Sequence, residues 1–318
     1  MRLVNILALT HAKLINEPFV SDFENIVFDA KKIRRGDLFV AFNNSDIEEA
    51  IFNGAYGIVF DKPTQITDSE IAWIKVENIP DALTKILRFR LIERKVISYS
   101  CDEISIELSK QIITQTNFIT LYSNIKDIFL SLWNIEENSI ILFTPSLTNQ
   151  DLFTDIKKPP ALPDKINLIK IKDKTLFETA FIHNNIFYER QPLSPFFIPY
   201  LEKLLYLYKT LDISYRLKKF TQLKHFEAVF VTKDLIIKDF GTTDQVIIFE
   251  SDENLIDKEA KFLQDNASWA KIIYITKKQT NNEIINKLIN NDFNFALILS
   301  DDKSILKEEV KNKETSLF

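Results

Sequence analysis

From residue 58 to residue 240 the chain contains no glycine, and only 4 glycines occur in its 318 residues, where average usage of about 7% would give roughly 22. Loops that wrap phosphate groups need backbone N–H groups brought close to the anion, at dihedral angles that a side chain forbids. A glycine-rich nucleotide cradle is therefore excluded from the middle of the chain.

At 318 residues the chain is long enough for two or three domains at ~100–200 residues each. It is 46% hydrophobic and 27% charged, so each domain can bury a core of its own. The formal charge of −5 is mixed along the sequence, which argues against a nucleic-acid partner. Cys101 stands alone, so no intrachain disulfide can form, in keeping with a reducing cytoplasm. The N-terminal apolar run lacks the long core and cleavage site of a secretory leader, and no run approaches the ~20 apolar residues of a membrane span. A cytoplasmic protein with no membrane span is expected.

Residues 1–93 read as a small α/β domain. Strands are expected at 23–28 and 37–42 across a basic turn, KKIRRG at 31–36, then a helix at 46–53 and strands at 58–60 and 73–76. A helix follows Pro80, with Leu83, Ile86, Leu87 and Leu91 on one face. Residues 94–225 open on a strand at 96–100 and a helix marked by Ile104, Leu108 and Ile112. Strands at 117–122 and 139–143 enclose a helix carrying Ile128, Phe129 and Leu132, and the prolines of KKPPALP at 157–163 impose an extended connection. A hairpin at 179–189 precedes a helix that starts at Pro199 and carries Leu201, Leu204, Leu205, Tyr208 and Leu211. Residues 226–318 alternate strands at 228–231, 235–237, 246–249, 272–275 and 295–299 with two helices, the pattern of a parallel sheet with helices packed on it. The charged tail from Lys303 is expected to fray.

Convergent chemistry is scarce. His11, His183 and His225 have no metal-ligand spacing. Glu48-Glu49 and Asp102-Glu103 are adjacent residues that point in different directions on a helix, and they suit the first turn, where the macrodipole favours acids. Ser98-Tyr99-Ser100-Cys101 offers nucleophile types without the strained elbow that exposes a serine. The basic turn at 31–35 has the charge to meet a phosphate, although a solvated turn between two strands is the simpler explanation of it.

Residues 28–42, FDAKKIRRGDLFVAF, resemble the D-S-R-x-[IV]-x-x-G-D-[LI]-F-[VF]-A-L signature that opens Mur ligases of the MurE and MurF type. AIFNGAYGIV at 50–59 is similar to that family's A-x-x-x-G-A-x-x-V-V element, and WIKVENIPDALTKIL at 73–87 to its I-x-V-x-D-x-x-x-A-L element. PLSPFFIPY at 192–200 and KHFEAV at 224–229 resemble, less closely, the helix before the last domain and the G-R-[LM]-E-x-[IV] segment. The resemblance implies an α/β protein of three domains, 1–93, 94–225 and 226–318, with a reduced central domain and a Rossmann-like C-terminal domain.

Departures from the pattern fall on the chemistry. Where the family has G-x-T-G-[ST]-N-G-K-[TS], this chain has VISYSCDEIS at 96–105, with neither glycine nor lysine and with two acids that would repel a triphosphate. No counterpart of the family's carbamylated lysine or of its metal-binding glutamate and histidine is found. For the D-D-Y-A-H-N-P region, residues 238–244 and 250–254 compete. The implied reading is a Mur-ligase-like protein with no bound cofactor and no metal, acting as a scaffold or regulator in peptidoglycan precursor synthesis or cell-shape control. Its implied partners are a true Mur ligase or another cell-wall synthesis protein. The alternatives are an ATP-dependent ligase with a rebuilt nucleotide site, or a UDP-sugar-binding module. In the last, Asp29, Lys31 and Arg35 would contact a UDP-MurNAc-peptide, with Lys31 and Arg35 near the diphosphate.

Overall fold

Short apolar runs alternate with amphipathic stretches, and in the computed structural model, which describes residues 1–121, 124–145 and 150–308, they become the strands and helices of a mixed α/β fold. Among the described residues there are eight α-helices and four sheets. The chain divides into two units, Met1–Ile106 with Gln115–Pro159, and Glu107–Thr114 with the residues from Pro160 onward.

The first unit begins with α1 (Leu3–Thr10), β1 (Lys13–Leu14), β2 (Ile26–Val27), β3 (Leu38–Val40), α2 (Ile47–Phe52), β4 (Gly57–Phe60), β5 (Ala72–Lys75) and α3 (Ile79–Glu93). Its first sheet has the order β1-β5-β4-β3-β2, parallel except for β1. Then come β6 (Ile97–Ser100), α4 (Glu103–Ile112), which from Glu107 on belongs to the second unit, β7 (Phe118–Leu121), α5 (Ile125–Leu132), β8 (Ile140–Phe143) and β9 (Ile156–Lys157). These strands form an all-parallel sheet in the order β7-β8-β6-β9.

Helix α3 shows why the sequence folds this way. Asn78 caps it, its side chain accepting from the Asp81 N–H at 2.9 Å, and Pro80 sits in the first turn, where no backbone donor is needed. Ile79, Leu83, Ile86, Leu87 and Leu91 lie buried along one stripe. They join Ile6 of α1, Ile128, Phe129 and Leu132 of α5, and residues of both sheets in a single apolar cluster. A buried leucine or isoleucine contributes roughly 1.5–3 kcal/mol, so this cluster is the main store of stability in the unit.

The second unit contains an antiparallel three-stranded sheet, β10 (Lys170–Lys174), β11 (Thr179–His183) and β12 (Ile186–Gln191), followed by α6 (Ile198–Leu211). After it come β13 (Glu227–Val231), β14 (Gln245–Glu250), α7 (Glu253–Asn266), β15 (Ile272–Ile275), α8 (Asn281–Ile289) and β16 (Phe295–Leu299). Their order is β13-β14-β16-β15, with β13 antiparallel to β14 and the others parallel. Ile247, Phe249, Ala296 and Ile298 pack with Ile284 and Leu288 of α8. Helix α7 also touches β14 and β16 without joining that cluster, so the two helices cover opposite faces.

Several expectations are corrected. Residues 23–28 yield only a two-residue strand, because Phe23 turns its ring into the core against Gly57. Residues 235–237 make isolated bridges to Val231 and Lys307 rather than a strand; Leu235 has φ +61° and its N–H closes a turn on Thr232. The C-terminal sheet is mixed, not purely parallel. The tail does not fray directly at Lys303, since Lys303–Ile305 forms a 3₁₀ turn that buries Ile305; residues 309–318 lie outside the described ones. Tyr122 of the expected strand at 117–122 also lies outside them.

The scarcity of glycine leaves a mark on the backbone. Where helices and turns need a left-handed residue, the chain uses His11, Lys95, Asn138, Asn184, Asn185 and Asp212, all with φ between +47° and +62°. Asparagine and aspartate tolerate that region best among side-chain-bearing residues.

Candidate functional site

The segment at 96–105 folds as strand, tight turn and helix, the geometry from which phosphate-binding loops are made. Ser98 and Tyr99 of β6 are buried, and the Ser98 hydroxyl donates to the Asp155 carbonyl at 2.5 Å, so it is engaged structurally. Past the strand the chain turns through Cys101 and Asp102 into α4. The Asp102 carboxylate accepts from the Ser105 N–H at 2.8 Å and from the Ser105 hydroxyl at 3.0 Å. A carboxylate of the chain itself thus takes the position at the helix N-terminus that a bound anion would use.

Magnitudes decide what this turn can hold. A favourable helix N-terminus is worth roughly 0.3–1 kcal/mol, and at most ~2 kcal/mol, to an anion. A unit negative charge about 4 Å from the Asp102 carboxylate meets repulsion on the order of 4 kcal/mol at an effective dielectric near 20. Repulsion wins, and no lysine in residues 96–105 offsets it. Burial, with the negative charge of Asp102 adding to it, pushes the Cys101 thiol well above its ordinary range. Cys101 is therefore an inert thiol at neutral pH.

The basic turn has a different character. Asp29 caps the 3₁₀ turn Ala30–Lys32, accepting from the Lys31 N–H at 3.1 Å. Asp37, buried, organises the rest by accepting from Asn25 at 2.8 Å and from the Arg34 N–H at 2.9 Å. Three of the four glycines serve this region. Gly36 and Gly54 have φ near +97° and +96°, and a Cβ on Gly57 would lie 2.6 Å from the Phe23 ring. Asp29, Lys31 and Arg35 are all exposed. Arg35 donates to the Tyr56 hydroxyl at 2.9 Å and lines a cleft of about 550 Å³ with Tyr56, Ser21, Asp22 and Glu70. Asp29 and Lys31 are not among the residues that line it.

Two of the three histidines are buried with polar partners. His11 ends α1, and His183 is buried between the Leu168 carbonyl and the Tyr215 hydroxyl, each at 2.9 Å. His225 is buried with its Nδ1 2.9 Å from Glu250. Among the described residues no group of three or more His, Cys, Asp or Glu is arranged to hold a metal ion.

Sequence reasoning missed the partner of that pair. Glu259 of α7 is fully buried. Burial first, then the adjacent Glu250 carboxylate and the charge of Asp252, push it up to about 10, so it stays protonated at neutral pH. Burial works to raise Glu250 too, but the hydrogen bond and charge of His225, the proton kept on Glu259 and the Asp252 N–H hold it below the usual carboxylate value. The signal was spacing: Glu259 lies three residues after Ile256 and four before Leu263, on the buried face of α7. Glu250 ends β14 and Asp252 caps α7, so residues 250–254 occupy the strand-to-helix turn, while 238–244 form a loop that leads into β14.

No protein-family model and no curated protein matches the chain. Solved structures do. The chain is similar to the UDP-N-acetylmuramoylalanyl-D-glutamyl-2,6-diaminopimelate–D-alanyl-D-alanyl ligase from Acinetobacter baumannii, at TM-score 0.48 and 11% identity, over 91% of this chain and 83% of the other. A crystal structure of MurF from Acinetobacter baumannii gives TM-score 0.49 and 10% identity, over 96% and 89%. MurF ligase from Thermotoga maritima, solved in complex with ADP, gives 0.47 and 15%, over 87% and 84%. Among the described residues no helix is long and apolar enough to cross a membrane.

Proposed function

We propose that this protein is a Mur-ligase-like binding protein that acts in peptidoglycan precursor synthesis without ATP-driven ligation, as a scaffold or regulator of a true Mur ligase or another cell-wall synthesis protein. Within this reading its three domains are 1–93, 94–225 and 226–318. The observation that carries the absence of ATP use is the Asp102 carboxylate on the first turn of α4, hydrogen-bonded to the Ser105 N–H and hydroxyl. Family resemblance rests on the three ordered segments at 28–42, 50–59 and 73–87. These run from β2 to β3, through α2 and β4, and from β5 into α3, so all belong to one sheet and its helices.

Incubation of the purified protein with ATP, magnesium, a UDP-MurNAc-peptide and candidate amino acids or dipeptides tests this reading. Neither phosphate release above background nor a peptide-extended product is expected. Saturable, substrate-dependent phosphate release would overturn it.

A second reading is favoured by the cleft beside Tyr56, where the exposed Arg35 guanidinium is oriented by a hydroxyl. There a UDP-sugar would be held through its diphosphate, and binding of the precursor would persist without the chemistry. Saturation-transfer NMR with a UDP-MurNAc-peptide reads this directly. Transfer lost in Arg35→Ala supports it, and no transfer at millimolar ligand removes it.

A further inference from the structure

A cavity in the second unit lies far along the chain from either site above. It measures about 730 Å³, within the roughly 300–1,000 Å³ of small-ligand and anchor pockets. Its apolar wall is built of rings: Phe177, Phe230, Phe240, Phe295 and Trp269. Phe177, at the β10–β11 turn, packs 6.0 Å from Phe230, 6.5 Å from Phe240 and 6.0 Å from Phe295, and Trp269 meets Phe295 edge-on at 6.1 Å. Two of these rings reach into solvent, Phe240 at 51% exposure and Trp269 at 74%. Exposed aromatics at the mouth of a pocket are the composition of binding hot spots rather than of a core.

Location separates this cavity from cofactor sites of open α/β sheets, which lie beyond the carboxyl ends of the parallel strands. Here Val246 and Phe295, near the amino ends of β14 and β16, line the wall. The space does not stop there. Thr243, Asp244 and Asn294 also line a second cavity of about 450 Å³ along the same edge, so the two form a groove longer than one compact ligand.

Charges on the wall define the occupant. Arg190 and Glu178 cancel each other at 3.1 Å. The Lys174 ammonium donates to the neutral amide oxygen of Asn266, at 3.2 Å, and to no carboxylate among the described residues, and the Asp244 carboxylate has no polar partner among them. In the larger cavity one positive and one negative charge therefore remain uncompensated beside an aromatic floor, while the adjoining cavity adds Lys271 and the Lys233–Asp292 pair at 3.7 Å. We propose that this groove receives an extended segment of a partner protein, which inserts one aromatic side chain among the rings, flanked by an acidic residue for Lys174 and a basic residue for Asp244. The proposal stands independently of whether the chain binds nucleotide or precursor.

Two acetylated, amidated tripeptides, Lys-Phe-Asp and Asp-Phe-Lys, cover both chain directions. Saturation-transfer NMR on the full chain should give saturable binding for at least one, with transfer strongest on the phenylalanine ring, and Lys-Ala-Asp or Asp-Ala-Lys should show none. Trp269→Ala should weaken binding by about tenfold or more. Asp244→Lys should do likewise and should recover binding with the peptide whose lysine is replaced by glutamate. Both positions are exposed, and circular dichroism checks that each variant is folded. Absence of saturable binding by both phenylalanine peptides, equal binding of the alanine peptides, or indifference to both variants would overturn the proposal. Free phenylalanine binding as tightly as the better peptide would overturn it in favour of a small-molecule pocket.

Discussion

Replacing Glu259 by glutamine should stabilise the protein at neutral pH, and by an amount that grows with pH. Glu259 is fully buried and holds its proton up to about pH 10, against an ordinary value of 4.5. Between these values the folded chain binds a proton at Glu259 that the unfolded chain releases, so the contribution of this group is complete below pH 4.5 and declines as pH rises toward 10. Each pH unit in that window removes about 1.36 kcal/mol, which amounts to roughly 3 kcal/mol at pH 7. Glutamine has the shape of the protonated acid, keeps an N–H where the acid has its O–H, and does not titrate. Glu259→Gln should therefore match the parent near pH 4.5 and exceed it by up to about 3 kcal/mol at pH 7. Urea denaturation at pH 5, 6, 7 and 8, followed by circular dichroism, measures the difference. Parallel pH profiles for the two proteins, or a variant less stable at pH 7, would show that Glu259 is not a protonated acid held beside the Glu250 carboxylate.

Gly57→Ala places a methyl 2.6 Å from the Phe23 ring and 2.9 Å from Leu38, and should cost about 1–3 kcal/mol by overpacking, read from the thermal midpoint. Phe129→Ala removes a ring that is 1% exposed and packed against Phe28 and Trp133; a loss of about 3–5 kcal/mol is expected in chemical denaturation. Asp212→Gly relieves a left-handed residue at the end of α6, φ +54°, and should raise the thermal midpoint by the equivalent of up to about 1 kcal/mol.

Much of the fold was legible because apolar spacing and burial coincide. Leu83, Ile86, Leu87 and Leu91 marked the buried stripe of α3, and Leu201, Leu204, Leu205 and Tyr208 that of α6. What escaped lacked that signal. All five residues of β10, KIKDK, are exposed, so it is a strand held by ladder hydrogen bonds to β11 and offers no apolar alternation to read. Helix α1 has no capping side chain and no charged residue in its first or last turn, so only its tertiary contacts through Leu3 and Ile6 identify it. At the candidate site the acids after β6 were visible, but the capping of α4 by Asp102 required the turn geometry. Glu259 was hidden by composition, since its neighbours Asp257, Lys258 and Lys261 suggest a solvated helix.

Calorimetric titration of magnesium–ATP into the full chain, at protein concentrations that register millimolar affinities, tests most directly whether the turn at Ser100–Ser105 excludes nucleotide. No saturable heat is predicted for the parent protein. A saturable isotherm from the parent, lost on Ser105→Glu and unchanged by Arg35→Ala, would place nucleotide at the head of α4 and contradict the central claim.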